Sequence, residues 1–497
     1  MTLPVDRLPS VAIAGDGLTG WMAATALAKA FGSRAGRITV LGLPQRDPLP
    51  AFGSSTPAMR LFHEKSAIPE DEFLRATAAT FKIATELTGW REPGKSFLHP
   101  YGQYGTNIGT IGFHHCWFRL HERAEAADLV NYSLAGLAAS LGRFAHPVAE
   151  TESIFSSFSY GFHFDPVSYR EYLKKCALTR GVELEHRKVV DVALRGGDGF
   201  IDALLLDDGD RAAADIYLDC TDGEAFLAGT SLQVGYEDWS RWLPCDRMLH
   251  WRSAPDADPF PATQIAAGEA GWRWRIPLQD GTSEGAVFCS AFTDAERAKD
   301  AGGSGEPVLQ SFVNGRRKKF WHKNCIALGG AAGFLEPLEA TGIHLAASGI
   351  ARLLQLLPGP SVSQADADEY NRLLTADFEL ARDFLILHYH ANSRTGSAFW
   401  DRCRAADIPA SLADRIELFR SRGRIAPRAG EAFLLTNWLS VFSGMGIFPR
   451  RYHPFADGLE IDEIRNRMGL IQSAVRRAAE AMPMHRAYLA HAIGQSK

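Results

Sequence analysis

Val11-Ala12-Ile13-Ala14-Gly15-Asp16-Gly17-Leu18-Thr19-Gly20 decides the fold. The four apolar residues read as a buried strand, the GxGxxG spacing as a tight turn, and the alanine-rich stretch through Phe31 as a helix. Glycine lets the backbone come close to a pyrophosphate, and the helix N-terminus offers it amide donors. Gly15, Gly17, Leu18, Thr19 and Gly20 are therefore candidate nucleotide contacts. Taken alone, the spacing fits a glycine turn in another α/β protein equally well.

The next strand, Ile38-Thr39-Val40-Leu41, ends in Gly42, where an acidic residue would normally bind the adenosine ribose. Strand-like segments followed by turns recur at 216–220 and at 324–330, as expected when one sheet is assembled from distant pieces of chain. The expectation is an α/β protein with a Rossmann-like, discontinuous nucleotide module over 8–355. Beyond Thr341 the pattern turns helical, with Ile343, Leu345, Ile350, Leu353 and Leu354 near helical spacing until Pro358-Gly359-Pro360. A mostly helical C-terminal region over 356–497 follows, with long amphipathic helices expected at 365–389 and 461–492.

At 497 residues, 46% hydrophobic and 22% charged, the chain can bury a large core and divide into structural units. A net charge of -5 provides no basic field for nucleic acid or anionic membrane. Glycines interrupt the apolar stretch 11–31, so neither a signal peptide nor a membrane span is expected. The seven cysteines are scattered and lack CxxC spacing, which suggests buried thiols in a reducing cytoplasm and no zinc site.

Several separated blocks carry a family resemblance. They are GDGLTGWMAA at 15–24, ATFKI at 79–83 with Gly89-Trp90, HPYG at 99–102, FHFD at 162–165, LPCDR at 243–247, WRWRIPL at 272–278 and FLEPLEATG at 334–342. From about residue 10 to 455 the chain resembles the tryptophan halogenase family of FAD-dependent halogenases. The resemblance implies the Rossmann-like FAD-dependent monooxygenase/halogenase fold, with a mostly helical C-terminal substrate region. It also implies FAD, delivered as FADH2 by a separate flavin reductase, and O2 and a halide as co-substrates.

By that resemblance Lys82 presents electrophilic halogen to an electron-rich aromatic ring, indole-like or phenolic. Glu339, with Glu336 as its neighbouring rival, stabilises the cationic ring and assists loss of its proton. Backbone amides at Thr341 and Gly342 would hold the halide, a suitable arrangement for an anion. Gly330, Ala331 and Leu338 would join the cofactor contacts. Trp272, Trp274, Ile276 and Pro277, the WxWxIP signature, would wall the path of hypohalous acid, although paired tryptophans are more often ordinary core. His99, Tyr101 and Trp438 would contact the substrate ring.

The chain also departs from the family pattern. Residues 52–57, Phe-Gly-Ser-Ser-Thr-Pro, lack a glutamate on the flavin side; Gly330 stands where many flavoproteins carry Asp; Gly42 replaces the ribose acid; Ala340 replaces a serine; and Met445 interrupts a glycine motif. The lost polar contacts predict weak FAD affinity. The alternatives left open are a related hydroxylating flavin monooxygenase and a non-catalytic member that binds an aromatic ligand. A homodimer is compatible with the resemblance.

Overall fold

The computed structural model describes residues 8–32, 34, 36–43, 52–299, 307–357, 359, 361–428, 431 and 433–494. Pro358 and Pro360 of the expected helix break lie outside them. Contacts divide the chain into two compact units, residues 1–79, 164–240 and 310–379 against 80–163, 241–309 and 380–497. Each unit is built from three pieces of chain, and the expected single cut near residue 356 differs from this division. The helix expected at 365–389 runs as Gln364–His390, and the unit boundary falls inside it.

The first unit has the Rossmann arrangement. Strands Cys325–Ala327, Ile216–Asp219, Val11–Ala14, Ile38–Gly42 and Glu183–Leu194 lie side by side and parallel, with antiparallel strands added at both edges. Val11–Ala14 is buried at all four positions, as a strand covered on both faces must be. Helix Leu18–Phe31 packs against helices Pro166–Thr179 and Thr341–Gln355. In the FHFD block, Asp165 caps the first of these by accepting from the Ser168 N–H at 2.7 Å.

In the second unit, strands Ser96–Pro100, Ala84–Thr88, Ala262–Ala267, Gly271–Pro277, Thr282–Phe288 and Arg247–Ser253 are neighbours in that order. The Ala84–Thr88 and Ala262–Ala267 pair is parallel and the other pairs are antiparallel. A two-stranded ribbon, Thr80–Lys82 with Gly161–His163, belongs to the same unit, as do helices Phe113–His121 and Leu134–Ser140 and those after 397. The helix expected at 461–492 is two helices, Ile461–Ala481 and His485–Gly494. Pro483 explains the break, because it donates no N–H and pushes Met482 into extended backbone at ψ 145°.

No helix among the described residues is long and apolar enough to cross a membrane. All seven cysteines are free thiols, and every one except the half-buried Cys176 is buried.

Candidate active site

The turn after the first strand brings the nucleotide candidates together. Gly15 has φ +111°, a backbone setting that favours glycine, and its N–H donates to Leu41 O at 2.7 Å. A Cβ on Gly20 would stand 2.0 Å from Gly15 O, so the turn closes only without one. Gly17 caps helix Leu18–Phe31, whose first turn carries Leu18, Thr19 and Gly20 with no acidic residue and no side-chain cap. The first-turn amides are thus left for an anion, which fits a dinucleotide phosphate.

The turn at Gly329–Ala331 follows another parallel strand and carries Gly330 and the buried Ala331. Sequence reasoning missed its neighbour Asp222, whose carboxylate Oδ1 lies 3.1 Å from where a Gly330 Cβ would be. Burial first, and the nearby Asp219 second, raise the Asp222 carboxyl to about 6. Asp219 itself accepts from the amides of Thr221, Leu227 and Ala228 and thereby fixes the loop.

The FLEPLEATG block forms a strained corner. Glu339 (φ 60°) and Ala340 (φ 59°) are consecutive non-glycine residues in the left-handed region, a costly arrangement held by its surroundings. Both are buried, together with Leu338 and Thr341. Glu336 is buried too, its N–H donating to Asn314 Oδ1 at 2.7 Å, so both glutamates of the block are interior residues. The corner delivers Thr341 and Gly342 to the start of the fifteen-residue helix Thr341–Gln355, which has no side-chain cap. A Cβ on Gly342 would meet nothing within 4 Å. Two uncapped first-turn amides beside open space suit a halide.

In the second unit, Lys82 is only 1% exposed. Alternation along Thr80–Lys82 places Thr80 and Lys82 on one face and Phe81 on the other. Phe81 stacks on Phe144 with centroids 4.2 Å apart, and its N–H donates to His485 Nε2. That anchor holds the short strand in place. Lys82 Nζ sits 5.1 Å from the Tyr101 ring centroid, a cation–π distance. Thr80 Oγ1 donates to Pro277 O (2.8 Å), so it accepts from His163 Nδ1, while His163 Nε2 accepts from Thr263 Oγ1. Burial first, then the Lys82 charge and His485, hold the His163 pKa well below its usual value, which suits a neutral ring with one donor and one acceptor.

Trp272 and Trp274 share one face of strand Gly271–Pro277, and Ile276 and Pro277 are buried with them. Opposite Trp274 the neighbouring strand carries Gly285, where a Cβ would overlap the indole at 2.0 Å. His250 stacks parallel to Trp274 at 6.3 Å. Trp272 meets Trp90 at 6.4 Å, and Trp90 in turn contacts His388, Tyr389 and Trp400. The pair therefore belongs to a packed aromatic cluster, whatever further service it performs.

The three candidate substrate contacts fall into one connected ring network. His99 makes an edge contact with Tyr101 at 5.9 Å and meets Phe384 at 5.7 Å, and Phe384 meets Trp438 at 5.0 Å. Their supports were not legible in sequence. Asn437 donates its side-chain amide to His99 Nε2 (2.8 Å), and Glu431 accepts from Trp438 Nε1 (2.6 Å) and from Arg415 (2.6 Å). The Arg415 guanidinium lies 4.1 Å from the Trp438 centroid. Of these supports only Asn437 is adjacent in sequence to a candidate residue, Trp438.

Residues 10–460 match the tryptophan halogenase family. This chain belongs to that family. A flavin-dependent halogenase from Brevundimonas sp. BAL3 superposes with TM-score 0.93 at 34% identity, over 98% of this chain and 99% of that one. A flavin-dependent halogenase from Xanthomonas campestris gives TM-score 0.93 at 38% identity, over 98% of each chain. A tryptophan 7-halogenase of Kutzneria sp. (strain 744) is 26% identical over 97% of this chain and 98% of its own length. The protein is thus a flavin-dependent oxidoreductase of the halogenase class, on a Rossmann-like fold with a helical C-terminal region.

Proposed function

We propose that this halogenase-family member installs bromine or chlorine on an electron-rich aromatic ring, indole-like or phenolic, with Lys82 as the residue that directs the halogen. The observation that carries the reading is Lys82 itself, a buried amine on an anchored strand beside an aromatic ring. When bound, reduced FAD supplied by a separate flavin reductase provides, with O2, the oxidising power that turns halide into hypohalous acid.

The chain's own residues divide the remaining work. Gly15, Gly17 and the first turn from Leu18 to Gly20 bind the cofactor phosphates, with Gly330, Ala331 and Leu338 supporting the flavin. The amides of Thr341 and Gly342 hold the halide. Trp272, Trp274, Ile276 and Pro277 exclude water from the path of the oxidant. Lys82 Nζ receives hypohalous acid by a hydrogen bond and aims it at the ring carbon. His99, Tyr101 and Trp438 fix the plane of that ring. The Glu339 carboxylate stabilises the cationic ring and takes the proton from the halogenated carbon. FAD affinity is expected to be weak, since residues 52–57 carry no glutamate and Gly42 and Gly330 bring no acid.

The test is mass spectrometry of a panel of indoles and phenols incubated with the protein, FAD, a flavin reductase, O2 and bromide. Bromine-bearing products that vanish without halide are expected. Hydroxylated products, or no product across the panel, would overturn the proposal.

A further inference from the structure

In a nucleotide fold of this kind, the acid that grips the adenosine ribose normally stands at the end of the second strand. Here that strand, Ile38–Gly42, ends in glycine, and its register with Glu183–Leu194 shifts between Leu41 and Gly42 so that Gly42 faces Lys188. A Cβ built on Gly42 would stand 2.5 Å from Lys188 Nζ, so the end of a flexible lysine side chain occupies the place of the missing acid. The same point lies 3.2 Å from Asp16 Oδ2 and 3.3 Å from Asp16 Cγ. A carboxylate therefore reaches the strand end from a different part of the chain.

Asp16 sits inside the glycine turn itself, between Gly15 and Gly17, and is exposed. Gly15 N–H is bonded to Leu41 O at 2.7 Å, which ties the turn to the residue before Gly42 and fixes the spacing between Asp16 and the strand end. Gly42, Asp16 and the carboxyl end of the first strand share the edge of the parallel sheet where nucleotides bind. Lys188, one strand further along, brings a positive charge to the same point beside Gly42.

We propose that Asp16 has taken over the role of the missing strand-end acid, accepting hydrogen bonds from the hydroxyls of the adenosine ribose, with Lys188 balancing its charge. This rests on the flavin reading above, and it recovers one of the contacts whose loss argued for weak cofactor affinity. The acid has moved from strand to turn. The turn position between Gly15 and Gly17 thereby becomes a specificity-determining one, and a search of the second strand alone would miss it.

The experiment is a fluorescence-quenching titration of the purified protein with FAD and with an FAD analogue lacking the adenosine 2′-hydroxyl. The wild type, Asp16→Asn and Asp16→Ala are compared, and the apoprotein melting temperature of each variant is measured alongside. The wild type is expected to bind FAD about tenfold more tightly than the analogue, the scale of one hydrogen bond to a charged acceptor. Asp16→Ala is expected to bind the two ligands alike and Asp16→Asn, which keeps a neutral acceptor, to discriminate less than the wild type, both with unchanged melting. If the wild type binds FAD but a folded Asp16→Ala variant still prefers it over the analogue, the role of Asp16 is overturned while the flavin reading stands. If the wild type binds neither ligand, the flavin reading itself falls.

Discussion

The two units build their candidate chemistry from different materials. In the first, the proposed binding groups are mostly main chain: glycine turns, uncapped helix starts and the left-handed corner at Glu339 and Ala340. In the second, they are side chains: Lys82 beside Tyr101, the His99 ring network, and the Trp272 and Trp274 strand. Main-chain sites tolerate a change of side chain but not a change of backbone space. Side-chain sites depend on the partners that hold each group still.

The sharpest way to break this contrast is in the second unit, at Arg415 and Glu431, an ion pair with both side chains 3% exposed. Arg415→Ala leaves Glu431 charged and buried, and is expected to cost about 3–5 kcal/mol in denaturant unfolding. Arg415→Met with Glu431→Gln should recover most of that loss, because neither charge is then stranded. A single substitution that proves neutral would show that Trp438 is not held in this way.

In the first unit the equivalent test is Gly20→Ala, whose methyl would meet Gly15 O. Overpacking of this kind is expected to cost about 1–3 kcal/mol and to abolish FAD binding, since the turn must open. Thr19→Ala, which leaves the backbone alone, should keep both within a small margin. Equal damage from the two changes would contradict a site built from main chain.

A smaller effect concerns pH. The Asp222 carboxyl, raised to about 6, holds its proton more tightly in the folded chain than in the unfolded one. Its ionisation therefore subtracts stability as pH rises from about 4 to 6, and the full penalty persists above that window. Asp222→Asn removes the penalty and tolerates the positive φ of 52°. Relative to the wild type, its apoprotein should melt higher at pH 8 and no higher at pH 4. A gain of equal size at both pH values would show that backbone preference, not charge, is responsible.

The legibility of the sequence follows the same division. The strand, turn and helix at 11–31 are contiguous, so the glycine spacing, read with the apolar strand before it and the alanine-rich helix after it, pointed to the Rossmann opening. The FLEPLEATG corner could be singled out for the same reason, because Glu339 to Gly342 is one short block. The supports of the strand that carries Lys82 could not be read, since His163 and Pro277 bond Thr80, His485 bonds Phe81 and Thr263 bonds His163, all from distant segments. Asp222 was hidden as well, being brought to Gly330 only when two parallel strands align. The break at Pro483 was legible and was overridden by the apolar periodicity on either side of it.

Directed halogenation by Lys82 is best tested by replacing it with methionine, which keeps the buried stem and removes the amine. With FAD, reductase, O2 and bromide, the brominated aromatic product is expected to fall by about 10²–10⁴-fold, while melting temperature and oxidant released to a halogen-trapping dye are retained. An undiminished rate of ring bromination in a folded Lys82→Met variant would contradict the account.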